Sequence, residues 1–231
     1  MENARLTNRA LLLPYLLPYL LYTGIAAIPR AWLGPELNYG ARLVATAAAL
    51  TWFWRRYAPL RGPHAPWLSV LIGIAVGLVG SALWIALLHP FVVRGGEAWS
   101  APSFWLRALS AGTLVPLFEE WLLRGYVLRL AVQWVRARRA GAADAFDQAF
   151  ERSSIDQVEP GAWTPLAIAI STTLFTLGHA SSEWAAAAAY GLLMAGLWIL
   201  RKDLLSCVAA HAATNISLAF YVRATGHWAL W

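Results

Sequence analysis

The sequence has 231 residues, of which 59% are hydrophobic and only 13% are charged, and its mean hydropathy is +0.52. A soluble domain carries about 25% charged residues, so the composition excludes an ordinary water-soluble globule and predicts an integral membrane protein. The formal net charge of +6 does not indicate nucleic-acid binding, because the basic residues lie in short clusters between apolar segments. The single cysteine, Cys207, excludes a disulfide within the chain.

Seven apolar segments approach the roughly 20 residues that a membrane-crossing helix needs. They cover about residues 10–28, 38–54, 67–89, 104–134, 163–181, 184–200 and 204–222. The fourth is long, and Pro116 can kink or divide it. We therefore expect one all-α domain over residues 1–231, a polytopic integral membrane helical bundle of seven or eight transmembrane helices. The first apolar run superficially resembles a signal peptide, but it lacks a cleavage site before a soluble sequence, so we interpret it as a retained helix.

Three glycines share one face of the third segment, namely Gly73, Gly77 and Gly80. Small residues on one face allow two membrane helices to approach closely. The alternative is that these glycines are simply tolerated in lipid, and the sequence alone does not separate the two interpretations.

The positive charges of the loops predict an orientation. With seven spans, most of them fall on one side: Arg5, Arg9, Arg55, Arg56, Arg61, Arg136, Arg138, Arg139, Arg152, Arg201 and Lys202. The other side has little beyond Arg30, Arg94, Arg107 and Arg223. The positive-inside rule then puts the N-terminus and the 55–66 and 135–162 loops in the cytoplasm. Residues 135–162 form the one substantial polar loop, which we expect to be amphipathic or partly ordered. The excess of arginine over lysine, with abundant alanine and tryptophan, is typical of GC-rich bacteria, which suggests a bacterial inner membrane.

Two adjacent carboxylates, Glu119 and Glu120, lie inside the long apolar segment. A charge in the bilayer core is unfavourable by a few kcal/mol and persists only with a partner or a function. Arg124 follows Glu120 by one helical turn and can pair with it. Glu119 points about 100° away around the helix and should face an internal polar cavity, where it could act as a general base on water. The alternative is a glutamate pair that only locks helices together.

Histidines in two later apolar segments are the next candidates. His179 lies near the end of the fifth segment, and taken alone it could equally be a core histidine bonded to a backbone carbonyl. His211 precedes Asn215 by four residues, so both side chains project from one helical face. An imidazole and a carboxamide can donate hydrogen bonds to an oxyanion or hold a metal-bound water. Polar groups on three separate helices predict a shared site.

These residues form three ordered motifs. Residues 119–124 (EEWLLR) fit EExxxR, residues 175–179 (FTLGH) fit FxxxH, and residues 211–215 (HAATN) fit HxxxN. The set resembles the CPBP family, which comprises the type II CAAX prenyl endopeptidases and bacteriocin-processing enzymes, over about residues 104–220. The catalytic helices would then occupy about 104–222.

The resemblance implies an intramembrane endopeptidase acting on a membrane-associated or lipidated peptide or protein in the lipid bilayer. It implies that Glu119 and His179 position the hydrolytic water. It further implies that Glu120 with Arg124 organises the site. His211 and Asn215 would stabilise the oxyanion of the tetrahedral intermediate. It leaves open a divalent metal such as zinc, held by Glu119, His179 and His211.

Other interpretations compete with this one. Cys207 lies one turn before His211, so a thiol–imidazole dyad is geometrically conceivable, although a small apolar residue in a membrane helix explains it more simply. Glu183 lies between two segments and is expected to be solvated. A proton-coupled transporter could use buried ionisable groups as a relay, but the repeated halves typical of transporters are not evident. A non-catalytic membrane chaperone or immunity protein could also keep this scaffold.

Overall fold

The computed structural model describes residues 6–88 and 96–231, and within these ranges the chain contains helices and no strand. The helices are α1 (Asn8–Ala26), α2 (Pro35–Trp52), α3 (Pro66–Leu88), α4 (Ala101–Gly112), α5 (Leu114–Glu120), α6 (Leu128–Arg139), α7 (Ala145–Asp147), α8 (Pro165–Leu177), α9 (Trp184–Arg201) and α10 (Leu204–Thr225). A π-helical segment, Trp121–Val127, joins α5 to α6 without a break. The expected all-helical architecture is therefore confirmed.

Four stretches are long and apolar enough to cross a membrane, and they are Asn8–Ala26, Pro66–Leu88, Ser181–Arg201 and Leu204–Thr225. The apolar helix α8 has only 13 residues, and α4 has 12. The expected count of seven or eight spans is thus not confirmed over the described residues. The boundaries of the long fourth segment also need correction, because the helix that carries Glu119 continues past residue 134 to Arg139.

The break in that segment does not lie at its proline. It falls at Thr113, whose φ of −130° and ψ of −73° are not helical. Pro116 lies in the first turn of α5. The first four N–H groups of a helix have no intrahelical partner, so a proline there removes no hydrogen bond. The proline is therefore compatible with the helix that carries the two glutamates.

Helices α3 and α10 form the most extensive helix pair of the described residues, and the glycine face of α3 makes this contact. A Cβ on Gly77 would overlap the Ala210 carbonyl oxygen and lie 2.8 Å from Ala213 Cβ. Thr214 reinforces the contact by donating a hydrogen bond to the Gly77 carbonyl oxygen at 2.8 Å. The glycines of α3 therefore serve close helix packing, and toleration in lipid alone does not explain them.

The two arginine-rich loops lie at the same end of the bundle. Gly62 in the first loop and Gly161 in the second both lie against Lys202, which connects α9 to α10. The Leu205 amide also donates to the Leu60 carbonyl oxygen at 2.9 Å. This placement agrees with the expectation that both loops share one side of the membrane. Arg5 and Arg94, which contributed to the predicted orientation, lie outside the described residues.

The polar connection after α6 is held by the start of α1. The Asn8 side chain is fully buried; it donates to Gln133 Oε1 and the Ala149 carbonyl oxygen and accepts from the Ile155 amide. The Asn8 amide also donates to the Ser153 carbonyl oxygen at 2.8 Å. These bonds order the connection around short helical turns that include Gln148–Arg152.

Candidate active site

Glu119 and Glu120 end α5, directly before the π-helical segment. Short π-helical segments inside α-helices occur frequently at functional sites. Here the Leu123 carbonyl oxygen accepts from the Leu128 amide, five residues on, and from the Ser171 hydroxyl of α8 at 3.0 Å. The segment is thus stabilised from a neighbouring helix, and it carries Arg124 at its centre.

Glu120, Arg124 and His211 form a buried, bonded group. Arg124 Nη1 donates to Glu120 Oε1 at 3.2 Å, and the exposed fractions of the two side chains are 1% and 0%. His211 Nδ1 donates to the same oxygen at 2.9 Å. Arg124 Nη2 donates to the Gly191 carbonyl oxygen of α9 at 3.2 Å. The sequence predicted the Glu120–Arg124 pair, and the structure adds that His211 joins it.

Glu119 faces the other nitrogen of the same imidazole. Its Oε2 lies 3.9 Å from His211 Nε2, and its side chain is 16% exposed. The separation is too long for a direct hydrogen bond and suits a bridging water. No arginine or lysine of the described residues pairs with Glu119, as its angle on the helix predicted. His211 therefore lies between two carboxylates, one held by Arg124 and one without a cation.

His179 lies two residues beyond the end of α8. Its Nδ1 bonds to the Phe175 carbonyl oxygen at 2.8 Å, which is the bond that the core-histidine interpretation expects. Its ring also lies beside Trp84 and Phe175, with ring centroids 5.3 and 4.6 Å away. The Nδ1 bond leaves Nε2 of His179 for another partner, so the bond to the backbone does not exclude a functional role.

The Asn215 side chain, on α10, is held by a hydrogen bond to α4. Its Nδ2 donates to the Ala111 carbonyl oxygen of α4 at 2.8 Å. An amide nitrogen carries two N–H groups, so one remains for a ligand.

Two cavities meet at His179 and Phe175, which line both. The first, which we call the polar cavity, has a volume of about 210 Å³ and is also lined by His211, Asn215 and Arg107. The second, the apolar cavity, has a volume of about 330 Å³. Among the described residues that line it, Glu119 is the only one with a carboxylate, and the remainder are mostly leucines and aromatic residues from α1, the π-helical segment and α8. Four of the six predicted residues thus line these adjoining spaces, whereas Glu120 and Arg124 line neither.

The three candidate metal ligands do not form a cluster. The described residues contain no group of three His, Cys, Asp or Glu side chains placed to hold a metal ion. A catalytic zinc site takes three protein ligands and an open position. Glu119 and His211 approach this arrangement as a pair, but His179 does not complete it. The side chains as placed therefore do not fit the metal that the resemblance left open.

The structure also adds residues that the motifs did not indicate. The Tyr190 hydroxyl lies 3.1 Å from Thr214 Oγ1, and the Tyr190 ring packs 5.8 Å from that of His211. Thr214 directly precedes Asn215, and its polarity in an apolar segment was the available signal. Arg107 was considered only as one of the charges that set the orientation, and the structure adds that it lies within α4 and lines the polar cavity. Its position inside an apolar stretch could have indicated this.

The two weaker candidates occupy different places. Cys207 is fully buried, and its Sγ lies 3.7 Å from the Asp203 carbonyl oxygen, outside the lining of both cavities. Glu183, which was expected to be solvated, lines the polar cavity and accepts a hydrogen bond from the Ala180 amide at 3.2 Å.

The fold and the site together define an all-helical membrane protein with two glutamates and two histidines around adjoining cavities. The family model described as type II CAAX prenyl endopeptidase Rce1-like matches residues 101–217, just over half of the chain. The chain belongs to this family, which makes it a membrane endopeptidase at the family level. The match runs from the start of α4 into α10 and includes all six predicted site residues. No curated protein and no solved structure matched the chain.

Proposed function

We propose that the protein is an intramembrane endopeptidase that hydrolyses a peptide bond of a membrane-associated or lipidated substrate with water activated by Glu119. The observation that carries this proposal is the position of His211, bonded to Glu120 and 3.9 Å from Glu119 in a membrane-embedded site. This arrangement offers a carboxylate without a cation beside an oriented imidazole, which are the groups that general-base hydrolysis requires.

Glu119 and His179 position the water in this proposal. Both line the apolar cavity, and Glu119 has no arginine that would hold its charge. Glu119 accepts a proton from the water as the water oxygen bonds to the carbonyl carbon of the scissile amide. The proton then passes to the leaving nitrogen as the C–N bond breaks. The products are a new carboxylate and a new amine, so atoms and charges balance.

His211 and Asn215 stabilise the oxyanion that forms on the carbonyl oxygen. Both line the polar cavity. Glu120 accepts a hydrogen bond from His211 Nδ1–H and fixes the ring, so Nε2, when protonated, can donate a hydrogen bond to the oxyanion. Asn215 contributes its second amide N–H, because the first is used by Ala111. Arg124 holds Glu120 in place and does not need to contact the substrate.

The two cavities suit a substrate with an apolar chain and a short peptide. Leu12, Leu122 and Leu174 are among the residues that make the larger cavity apolar. The smaller cavity has polar groups and takes a peptide segment rather than a folded domain. The family name indicates a prenylated C-terminal peptide, and in a bacterium the substrate would be another lipidated peptide, a leader or an anchor tail. No metal-dependent step is included, because the candidate ligands do not form a cluster.

We also propose that the protein lies in a bacterial inner membrane with its N-terminus in the cytoplasm. The shared end of the two arginine-rich loops supports a common side, and the positive-inside rule supports the cytoplasmic one. Single cysteines introduced as Arg61→Cys and Ala143→Cys in a Cys207→Ser background should both resist a membrane-impermeant thiol reagent in intact cells. Labelling of either before lysis contradicts this orientation.

Cleavage by the purified protein tests the proposed activity. The probe is an internally quenched peptide library that carries an S-farnesyl cysteine, with an unlipidated library beside it. Glu119→Gln keeps the shape and removes the base, so cleavage should be abolished. Asn215→Ala should lower kcat about 10²–10³-fold, the loss seen when an oxyanion donor is removed. Cys207→Ser should keep most activity.

The outcomes separate the competing functions. A dead Cys207→Ser variant together with an active Glu119→Gln variant would identify a thiol protease and refute the assigned roles. A folded wild-type protein that cleaves neither library contradicts the endopeptidase proposal and favours a transporter or a non-catalytic membrane protein.

A further inference from the structure

The polar cavity extends toward the end of the bundle that is opposite the arginine-rich loops. Helix α9 ends beside Lys202, which contacts both of these loops, and begins at Trp184 at the opposite end. Glu183, which directly precedes α9 there, lines the polar cavity. Leu230 and Trp231, which follow the corresponding end of α10, line it too. We call this end of the bundle, marked by these four residues from Glu183 to Trp231, the far end.

The exposure of the cavity lining decreases from the far end toward His211. Glu183 and Trp231 are partly exposed, and so is Asn215 on α10. His211 lies one helical turn farther from the far end than Asn215 and is only 4% exposed. The polar cavity is therefore open at the far end and closed around His211.

A packed core separates His211 from the arginine-rich loops. Cys207 lies one turn before His211 on α10 and is fully buried, and Leu204 at the start of the helix is 1% exposed. Trp198 of α9 and Leu128 of α6 belong to the same buried cluster and are also fully buried. None of these four side chains lines either cavity. Because such an interior is packed as densely as an organic crystal, the described residues offer a peptide no route from the loops to His211.

The apolar cavity meets the polar cavity on the same side of His211. Helix α8 begins at Pro165, four residues after Gly161, which contacts Lys202 beside the loops. His179, where the two cavities meet, lies beyond the other end of α8. A lipid chain in the apolar cavity would therefore have its peptide-bearing end toward the far end.

We propose that the scissile peptide enters the active site from the far end, which is the extracytoplasmic end in the orientation proposed above. This inference rests on the proposed function and on that orientation. The substrate class is then a membrane-anchored peptide that is exposed on the outer surface of the membrane. Among the bacterial substrates considered above, a leader or an anchor tail of an exported protein fits this class, and a prenylated chain end in the cytoplasm does not.

Membrane vesicles of known sidedness test the route of entry. The probe is the S-farnesyl-cysteine peptide library with a sulfonated fluorophore, which keeps the peptide from crossing the membrane. Right-side-out vesicles that contain the wild-type protein should cleave it without permeabilisation. Inside-out vesicles should cleave it only after detergent opens them, so their activity should rise several-fold, whereas that of right-side-out vesicles should change little. Vesicles with Glu119→Gln give the background from other proteases.

A cysteine at the far end tests the entrance itself. Ala180 is exposed and directly follows His179. In a Cys207→Ser background, Ala180→Cys should react with a bulky, membrane-impermeant thiol reagent in right-side-out vesicles, and cleavage should then be lost. Ala143→Cys in the same background is the matched control, because Ala143 is exposed in the 135–162 loop. It should react only in inside-out vesicles and keep its activity after labelling. Each activity is compared before and after the reagent within one variant, so a fraction of misfolded protein does not change the result.

The outcomes keep this inference apart from the proposed function. Cleavage confined to inside-out vesicles, or to the side on which Ala143→Cys is labelled, overturns the inference and leaves the endopeptidase proposal standing. Equal cleavage by both kinds of intact vesicle also overturns it and indicates entry from within the bilayer. Unchanged cleavage by fully labelled Ala180→Cys shows that the far end is not the entrance. Absence of cleavage even in detergent contradicts the endopeptidase proposal itself, and the inference falls with it.

Discussion

Breaking the Glu120–Arg124 pair should destabilise the protein strongly, whereas removing both charges should not. The pair is almost completely buried, with exposed fractions of 0% and 1%. Arg124→Met leaves the Glu120 carboxylate with only His211 as a partner, and removing one member of a buried pair is unfavourable by about 3–5 kcal/mol. For a chain of this length, each kcal/mol lowers Tm by about 2–4 °C, so the expected decrease is roughly 6–20 °C.

The double variant Glu120→Gln/Arg124→Met leaves no uncompensated charge. It should therefore be more stable than Arg124→Met alone, because replacing a whole buried ion pair with neutral residues is often neutral or stabilising. The coupling between the two sites should exceed the roughly 0.5 kcal/mol within which independent substitutions add.

Cys207 can report the unfolding of the protein in this measurement of Tm. Cys207 is the only cysteine and is fully buried, so a thiol-reactive fluorophore responds as the protein unfolds in detergent. Arg136→Met is the control, since it breaks an ion pair of similar length, 3.1 Å to Glu159, that is largely exposed. It should change stability by at most about 1 kcal/mol. If Arg124→Met shifts Tm no more than Arg136→Met, or if the Glu120 and Arg124 effects simply add, the pair does not stabilise the site as argued.

Three further changes test the packing and the roles of other residues. Gly77→Ala should lower stability by about 1–3 kcal/mol, because the added Cβ would overlap α10. Gly196→Ala is the control: its added Cβ would have no neighbouring atom within 4 Å, so this variant should be neutral or stabilising in the same thermal assay. Asn8→Ala should expose the connection after α6 to trypsin at Arg152, because its bonds to that connection are lost; unchanged digestion would show that Asn8 is not needed. Cys207→Ser should retain its kcat, and a loss of more than tenfold would contradict its structural role.

Much of the site could be predicted from the sequence because its signals are local. The four-residue spacing of Glu120 and Arg124 predicts their pair, and the same spacing puts His211 and Asn215 on one face. Charges in an apolar stretch are conspicuous, so Glu119 was identified without its surroundings. The placement of both glutamates beside the one imidazole of His211 could not be predicted, because Glu120 and His211 are 91 residues apart in the sequence.

The boundaries were less predictable, for physical reasons. Hydropathy does not indicate where a helix breaks. The end of α4 at Gly112 was therefore not predicted, and the break was expected at Pro116 instead. The π-helical segment has the same composition as an α-helix and leaves no pattern. Arg107 was counted only for its charge, and its position over the Trp231 ring could not be predicted because the two residues are far apart in the sequence.

The order of the helices along the chain has a consequence for biosynthesis. Arg124 follows Glu120 by one turn, so the two can enter the membrane already paired, as one neutral unit. His211 belongs to α10, the last long helix of the described residues. That helix contains no acidic residue and no arginine or lysine other than Arg223 near its end, so it can insert as an apolar segment. The imidazole therefore reaches the two carboxylates only after α10 has been made, later in synthesis than the Glu120–Arg124 pair, and the site is incomplete until then.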